Sequence, residues 1–335
     1  MSQEFPSIRY VVQGLIPEGM TLLVAAPKIG KSWLVLGLAL QLSTGRPAFG
    51  GIPTGGPRPV LYLALEDGPR RLQSRIRTIG DDFASPKLEF ITSLAEGTAV
   101  DIIKAFLLKH DGHDPVVILD TLGKVMPSTS TTKTQYAADY DFLGSLKATA
   151  DAVPGSSLVI VHHTRKMAGD DFLDAVSGTQ GIAGAADTVL VLRRERQDPV
   201  ATLYVTSRDA HEGEYAMTLS KNGVWTMNGG SLKQASQAAQ LNRTTAGVGD
   251  RMADVISAVS EYPEGVSVKD LKAILAEIPP AQVDKYLSRA VDGGRLEKLT
   301  RGVYIPVRSV RSVSSGEETD TNDTSDTLST DRSAA

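Results

Sequence analysis

The sequence contains no cysteine. Disulfides, thiolate nucleophiles, cysteine-ligated zinc and iron–sulfur clusters are therefore excluded. No stretch approaches the roughly 18 consecutive apolar residues that a membrane-spanning helix needs. The N-terminus, MSQEFPSIRY, lacks a basic segment followed by an apolar run, so it does not read as a secretory signal. These absences set the expectation of a cytoplasmic protein with no membrane partner. Charge of one sign is missing too: 35 basic residues face 39 acidic ones, for a net charge of −4. That balance neither demands nor excludes nucleic acid, because a binder needs only a local basic track.

What is present is a chain of 335 residues, 41% apolar and 22% charged. That length suits one large domain with a small one, or two of moderate size. Residues 1–229 alternate apolar strand-like runs with helical patterns, the grammar of an α/β fold with a mostly parallel sheet and flanking helices. The runs are Thr21–Ala25, Val60–Leu65, Leu88–Ile91, Val116–Leu119, Leu158–Val161, Thr188–Leu192 and Leu203–Val205. Several are continuously apolar, as strands covered on both faces are. Tyr215–Leu219 and Val224–Met227 read as an edge hairpin turned by Lys221-Asn222-Gly223. Residues 230–249, rich in Ser, Gln, Ala, Asn, Thr and Gly, read as a linker with helical content. Residues 250–306 resume apolar periodicity as a second, small domain. The tail 307–335 is Ser, Thr and Asp with few large apolar side chains, so disorder is expected there.

The sharpest local signal is Ala25-Ala26-Pro27-Lys28-Ile29-Gly30-Lys31-Ser32, set between the strand-like Thr21–Val24 and a helical run from Trp33 to Leu42. Strand, glycine-bearing loop and helix in this order form a phosphate loop. Ala26, Pro27, Lys28, Ile29, Gly30, Lys31, Ser32 and Trp33 are the expected nucleotide-binding residues. Backbone N–H groups and the helix start would cradle phosphates, Lys31 would place a cation on them, and Ser32 would offer its hydroxyl to Mg²⁺. Ala25 stands where such loops usually open with glycine, which is tolerable if that residue is extended.

A phosphate loop also needs carboxylates. Asp120 ends the apolar run Val116–Leu119, where an acid can hold Mg²⁺. Thr121 follows it rather than a second acid, so the group that activates water must come from elsewhere. Glu66 ends the run Leu61–Leu65 and is the candidate; with Asp67 it could instead cap the helix that starts near Pro69. His110, His113 and Asp114 read as solvated loop polarity.

Four segments together, Ala-Pro-Lys-Ile-Gly-Lys-Ser-Trp, Leu-Tyr-Leu-Ala-Leu-Glu-Asp, Leu-Asp-Thr-Leu and Val-His-His-Thr-Arg-Lys, resemble RepA-type hexameric replicative helicases, relatives of RecA- and DnaB-like ATPases. The resemblance covers residues 8–228 and implies a RecA-like sheet, ATP and Mg²⁺ as cofactors, and a ring of subunits with ATP at each interface. It implies Glu66 as the water-activating carboxylate and His162 as the γ-phosphate sensor. His163, Thr164, Arg165 and Lys166 would lead into a loop facing a central channel, where single-stranded DNA is the expected partner. Ser177-Gly178-Thr179-Gln180-Gly181 and Ala185-Ala186-Asp187 resemble a later family segment. Arg208 matches the position of an arginine finger that reaches a neighbour's γ-phosphate; Thr206 stands where many relatives carry a lysine. A surface salt bridge to Asp209 or Glu212 is the other reading of Arg208.

In 250–306, Met252, Val255, Ile256 and Val259 fall at helical spacing, as do Val268, Leu271, Ile274 and Leu275, and then Val283, Leu287 and Val291. A two-stranded segment follows over 293–305, so the region resembles a winged-helix domain. Lys285, Arg289, Arg295, Lys298 and Arg301 gather on the third helix and wing, which suits duplex DNA, although protein contact suits the same surface. The function expected from the sequence is an ATP-driven DNA motor, helicase or translocase. A nucleotide-switched DNA-binding ATPase without processive unwinding is the alternative.

Overall fold

The computed structural model describes residues 7–80, 83, 85–95, 98–126, 135–163, 184–195 and 198–307. Thr164, Arg165, Lys166, the segment Ser177–Gly181 and the tail from Arg308 lie outside the described residues. The chain opens with a short hairpin, β1 (Tyr10–Val12) and β2 (Ile16–Pro17), which apolar patterning does not predict. Then come β3 (Gly19–Ala25), α1 (Lys31–Thr44), β4 (Val60–Ala64), α2 (Pro69–Ile79), β5 (Leu88–Ile91), α3 (Ala99–Lys109), β6 (Val116–Asp120), α4 (Gln135–Asp151) and β7 (Ser157–His163). β8 (Thr188–Arg194), β9 (Val200–Ser207), β10 (Gly213–Leu219) and β11 (Trp225–Met227) complete the large sheet.

The order across that sheet is β11-β10-β9-β8-β3-β7-β6-β4-β5. From β8 to β5 every neighbouring pair is parallel; β8-β9, β9-β10 and β10-β11 are antiparallel. This is the mostly parallel sheet with flanking helices that the alternating runs predict. The strands read as continuously apolar because both faces are covered. Leu23, Tyr62, Ile118 and Val161 face the layer that includes α1. Leu22, Leu63, Leu119 and Ile160 face the layer that includes α3 and α4. One residue of offset separates the two sets, as the two-residue strand period requires.

Residues 230–249, expected to be a linker with helical content, hold α5 (Leu232–Thr245), capped by the Ser231 hydroxyl and burying Ala235 and Ala239. Next come α6 (Asp250–Ser260), β12 (Val266–Ser267), α7 (Val268–Ile274), α8 (Pro280–Asp292), β13 (Leu296–Thr300) and β14 (Val303–Pro306). β12, β14 and β13 form a three-stranded antiparallel sheet, and Val255, Ile256, Leu271, Val283 and Leu287 form a separate core. No helix among the described residues is long and apolar enough to cross a membrane.

Candidate active site

The parallel strands β3, β7, β6 and β4 end side by side, and ligands of open α/β sheets bind in the crevice beyond such ends. Ala25 is buried and is the last residue of β3, so its methyl sits on extended backbone. The loop then turns through Lys28, with φ of 67°, and Gly30, with φ of 106°. Gly30 caps α1, whose first residue is Lys31. The opening amides of the helix therefore face the crevice without intrahelical partners, next to the positive end of the helix dipole.

Lys31 is 4% exposed. Its Nζ donates to the carbonyls of Ala25 (2.8 Å) and Ala26 (2.9 Å) and to Nδ1 of His163 (2.8 Å). An ammonium has three protons, and all three are engaged. Because Nδ1 of His163 accepts, the ring proton resides on Nε2, which donates to Glu66 Oε1 at 3.1 Å. Burial pushes the Lys31 ammonium down to about 8, while Asp120 and Glu66 pull it back up.

Asp120 ends β6 and is 2% exposed. Burial raises its pKa. Hydrogen bonding from Ser32 and Tyr62 opposes that rise, and the charges of Glu66 and Asp67 add to it. The Tyr62 hydroxyl donates to Oδ2 at 2.9 Å, and burial keeps that phenol protonated well above its usual range. The Ser32 hydroxyl lies close enough to favour the ionised carboxylate, yet Oδ1 is buried and has no hydrogen-bond partner of normal geometry among the described residues. An unfilled carboxylate oxygen beside a serine hydroxyl is a donor set that fits Mg²⁺, directly or through water.

Asp67 and Glu66 separate in role. Asp67 is buried and pairs with Arg71 (3.1 Å) and Arg75 on α2, while Glu66 turns to His163. A cavity of about 330 Å³ runs past Lys28, Lys31, Ser32, Glu66, His163 and Arg194. The structure thus gathers Lys31, Ser32, Asp120 and Glu66, the set that the sequence predicts.

It does not bring His162 there. Val159, Val161 and His163 share the α1 face of β7, whereas Leu158 and Ile160 face the other layer, the side to which alternation assigns His162. Sequence reading alone passes over His163 in this position. The strand period distinguishes the two histidines only once the face that carries the loop is known. Tyr62 and Trp225, which contact Asp120 and Gly30, are likewise missed: Tyr62 lies within an apolar strand run and Trp225 within the edge hairpin, and neither segment carries a site signal.

Arg208 stands far from Lys31. Its neighbour Ser207 pairs with Thr188, the first residue of β8, whereas Ala25 pairs with Leu192 near that strand's end. Arg208 is therefore at the edge where the parallel strands begin. Its Nη1 lies 3.9 Å from Asp187, not on Asp209 or Glu212, and its side chain is 67% exposed.

A family model described as an AAA domain matches residues 1–169, half of the chain. Among solved structures the chain is similar to an ATPase domain, at 15% identity and a TM-score of 0.50 over 62% of this chain and 84% of that one. It is similar at the same identity and TM-score to a DnaB-like replicative helicase studied with its interactions with primase. There the match again takes in 62% of this chain but spans only 57% of the helicase's length. These structural likenesses concern the fold. With the phosphate loop, its lysine and the Asp120 strand all inside the matched half, the chain belongs to the AAA-domain family and is a P-loop ATPase with a RecA-like core.

Proposed function

We propose that this chain is an ATP-driven DNA motor of the DnaB/RepA kind, hydrolysing ATP between the subunits of a ring and moving on single-stranded DNA. One observation carries this reading. A buried lysine, an unfilled carboxylate oxygen beside a serine hydroxyl, and a glutamate held by a histidine converge in one crevice.

The chemistry follows from those groups. Lys31 has no free proton, so a phosphate oxygen must displace one of its acceptors, and His163 is the side chain among them. Displacement would free His163 to read the γ-phosphate, the role that the resemblance assigns to His162. Mg²⁺, held through Ser32 and Asp120, would neutralise phosphate charge. Glu66 polarises a water whose oxygen attacks the γ-phosphorus. The bond from phosphorus to the bridging oxygen breaks, ADP and phosphate leave, and the water's proton passes to the carboxylate side. Arg208, exposed at the opposite edge, cannot reach its own crevice and is available to a neighbour's, where an arginine finger stabilises transition-state charge.

The C-terminal unit of α6, α7, α8 and its three-stranded sheet is proposed to be a winged-helix-like module. Lys285 and Arg289 on α8, with Lys298 and Arg301 at the small sheet, are its cations for DNA, whereas Arg295 donates to the carbonyls of Thr244 and Ala246. ATPase rates without DNA, with single-stranded DNA and with duplex, together with mass in solution on a non-hydrolysable analogue, test the proposal. Stimulation by single strands and a closed ring are expected. Duplex-specific binding with slow turnover that single strands do not stimulate would replace the motor with a nucleotide-switched DNA-binding ATPase.

A further inference from the structure

The chain has two tryptophans, and both meet at the phosphate loop from distant parts of the sequence. Trp33 lies in the first turn of α1. Trp225 opens β11, the outermost strand on its side and four places from β3 in the sheet. Even so, its indole Nε1 donates to the Gly30 carbonyl at 3.0 Å. α1 shares one core with β9, β10 and β11, so its start lies against the antiparallel edge.

The contact has little slack. A Cβ on Gly30 would sit 3.1 Å from Trp225 Cζ2 and 3.3 Å from Leu219 Cδ2, and the residue's φ of 106° disfavours any side chain. On the other side, Gly223 in the β10–β11 turn has φ of 76° and lies so close that a Cβ there would overlap the Trp33 ring. Arg75 and Arg194 lie over Trp33 and Trp225, 5.2 and 5.9 Å from the ring centroids. The hairpin is clasped to the loop at two points.

The Gly30 carbonyl receives two donors, Trp225 Nε1 and the Leu34 amide at 3.0 Å. That carbonyl and the Lys31 amide belong to one peptide unit, and a trans peptide holds its C=O and N–H antiparallel in one plane. Fixing the carbonyl against Trp225 therefore aims the Lys31 N–H away from the hairpin, as one of the unpaired amides that open α1. Phenylalanine would fill much of the same space without supplying the second donor.

We propose that Trp225 is a positioning residue for the phosphate loop, setting the Lys31 amide and the start of α1 for a bound phosphate. The inference rests on the reading that the crevice takes MgATP.

Trp225→Phe in the full chain tests it, with Tyr215→Phe on the same hairpin as control. Trp225→Phe is expected to raise the dissociation constant and KM for MgATP about tenfold, the cost of losing one of two donors on a partly buried carbonyl, and to leave kcat nearly unchanged. Tyr215→Phe should leave both constants as they are. A purely structural role would lower the melting temperature and the active fraction, and hence kcat, without moving KM. That pattern, or an unaltered dissociation constant in Trp225→Phe, overturns the proposal. Wild-type protein that fails to bind MgATP overturns the nucleotide reading instead. Should Trp225→Phe not fold, the two indole N–H resonances of the wild-type protein decide the matter. The Trp225 signal shifts when a non-hydrolysable MgATP analogue is added, and a signal that stays in place refutes the positioning role.

Discussion

The two edges of the large sheet hold buried charge in opposite ways. Where the parallel strands end, Asp120 keeps an oxygen without a hydrogen-bond partner among the described residues, and Lys31 is held partly by a histidine that a ligand can replace. Where they begin, Asp187 is saturated. It accepts from Lys147 at 2.6 and 2.8 Å and from the Met20 amide at 3.0 Å, and Gly19 lies so close that a Cβ there would come within 2.8 Å of its carboxylate. Both aspartates cost desolvation to bury. At one edge each Asp187 oxygen accepts from protein donors, which makes a staple between β3, α4 and the start of β8. At the other edge one Asp120 oxygen and a replaceable histidine on Lys31 suit a magnesium ion and a phosphate.

Substitutions at the two edges should therefore fail differently. Lys31→Ala has the largest expected effect: ATP turnover falls about a thousandfold or more, with far-UV circular dichroism unchanged. Turnover near the wild-type value would show that the crevice is not the reaction site. Asp187→Ala should act on stability instead, lowering unfolding free energy by about 1–2 kcal/mol in a denaturant titration, because it takes the acceptor from the Met20 amide and leaves Lys147 with Asp151 alone. MgATP affinity of the folded fraction should hold; a selective loss of affinity would mean that the edges are not independent.

The histidine pair sharpens the contrast within one strand. His163→Ala should slow turnover by about 10²-fold, in the range for loss of a group that positions or transfers a proton, while His162→Ala has a much smaller effect. The reverse ranking would return the sensor to His162. The smallest effect is on pH. Lys31 is charged in the unfolded chain up to its ordinary range near 10.5, whereas in the folded, ligand-free chain it loses its proton from about 8. A bound phosphate favours the charged form, so MgATP affinity should weaken about tenfold between pH 8 and 9.5. By the same sign, the unfolded chain binds more protons than the folded one across about 8 to 10.5, and ligand-free stability attributable to this lysine rises with pH there. Calorimetry at three pH values reads the first, and melts without ligand read the second.

Much of this was legible before any coordinates. Continuous apolar runs located the central strands because a sheet covered on both faces leaves few polar positions, and β6 buries every residue of its run Val116–Leu119. Gly30-Lys31-Ser32 and the acids at the ends of β4 and β6 were legible because their chemistry depends on residue type and strand end. Three features were not. The β1–β2 hairpin is too short to show a period. The choice between His162 and His163 depends on which face of β7 carries α1. Trp225 carries no site signal within its edge hairpin because its partner is a backbone carbonyl 195 positions away, and backbone atoms leave no mark in a sequence.

Order along the chain was enough to write the local grammar: a strand, a glycine turn and a helix opening on lysine, with carboxylates at two strand ends. Backbone geometry and side-chain chemistry act there over a few residues. Which groups meet was left to the assembled sheet. Strand order sets β3 beside β7, so His163 reaches Lys31, and the core that α1 shares with β9, β10 and β11 brings Trp225 onto Gly30. Those contacts arise from packing across all nine strands, a long-range balance that no short window of residues encodes.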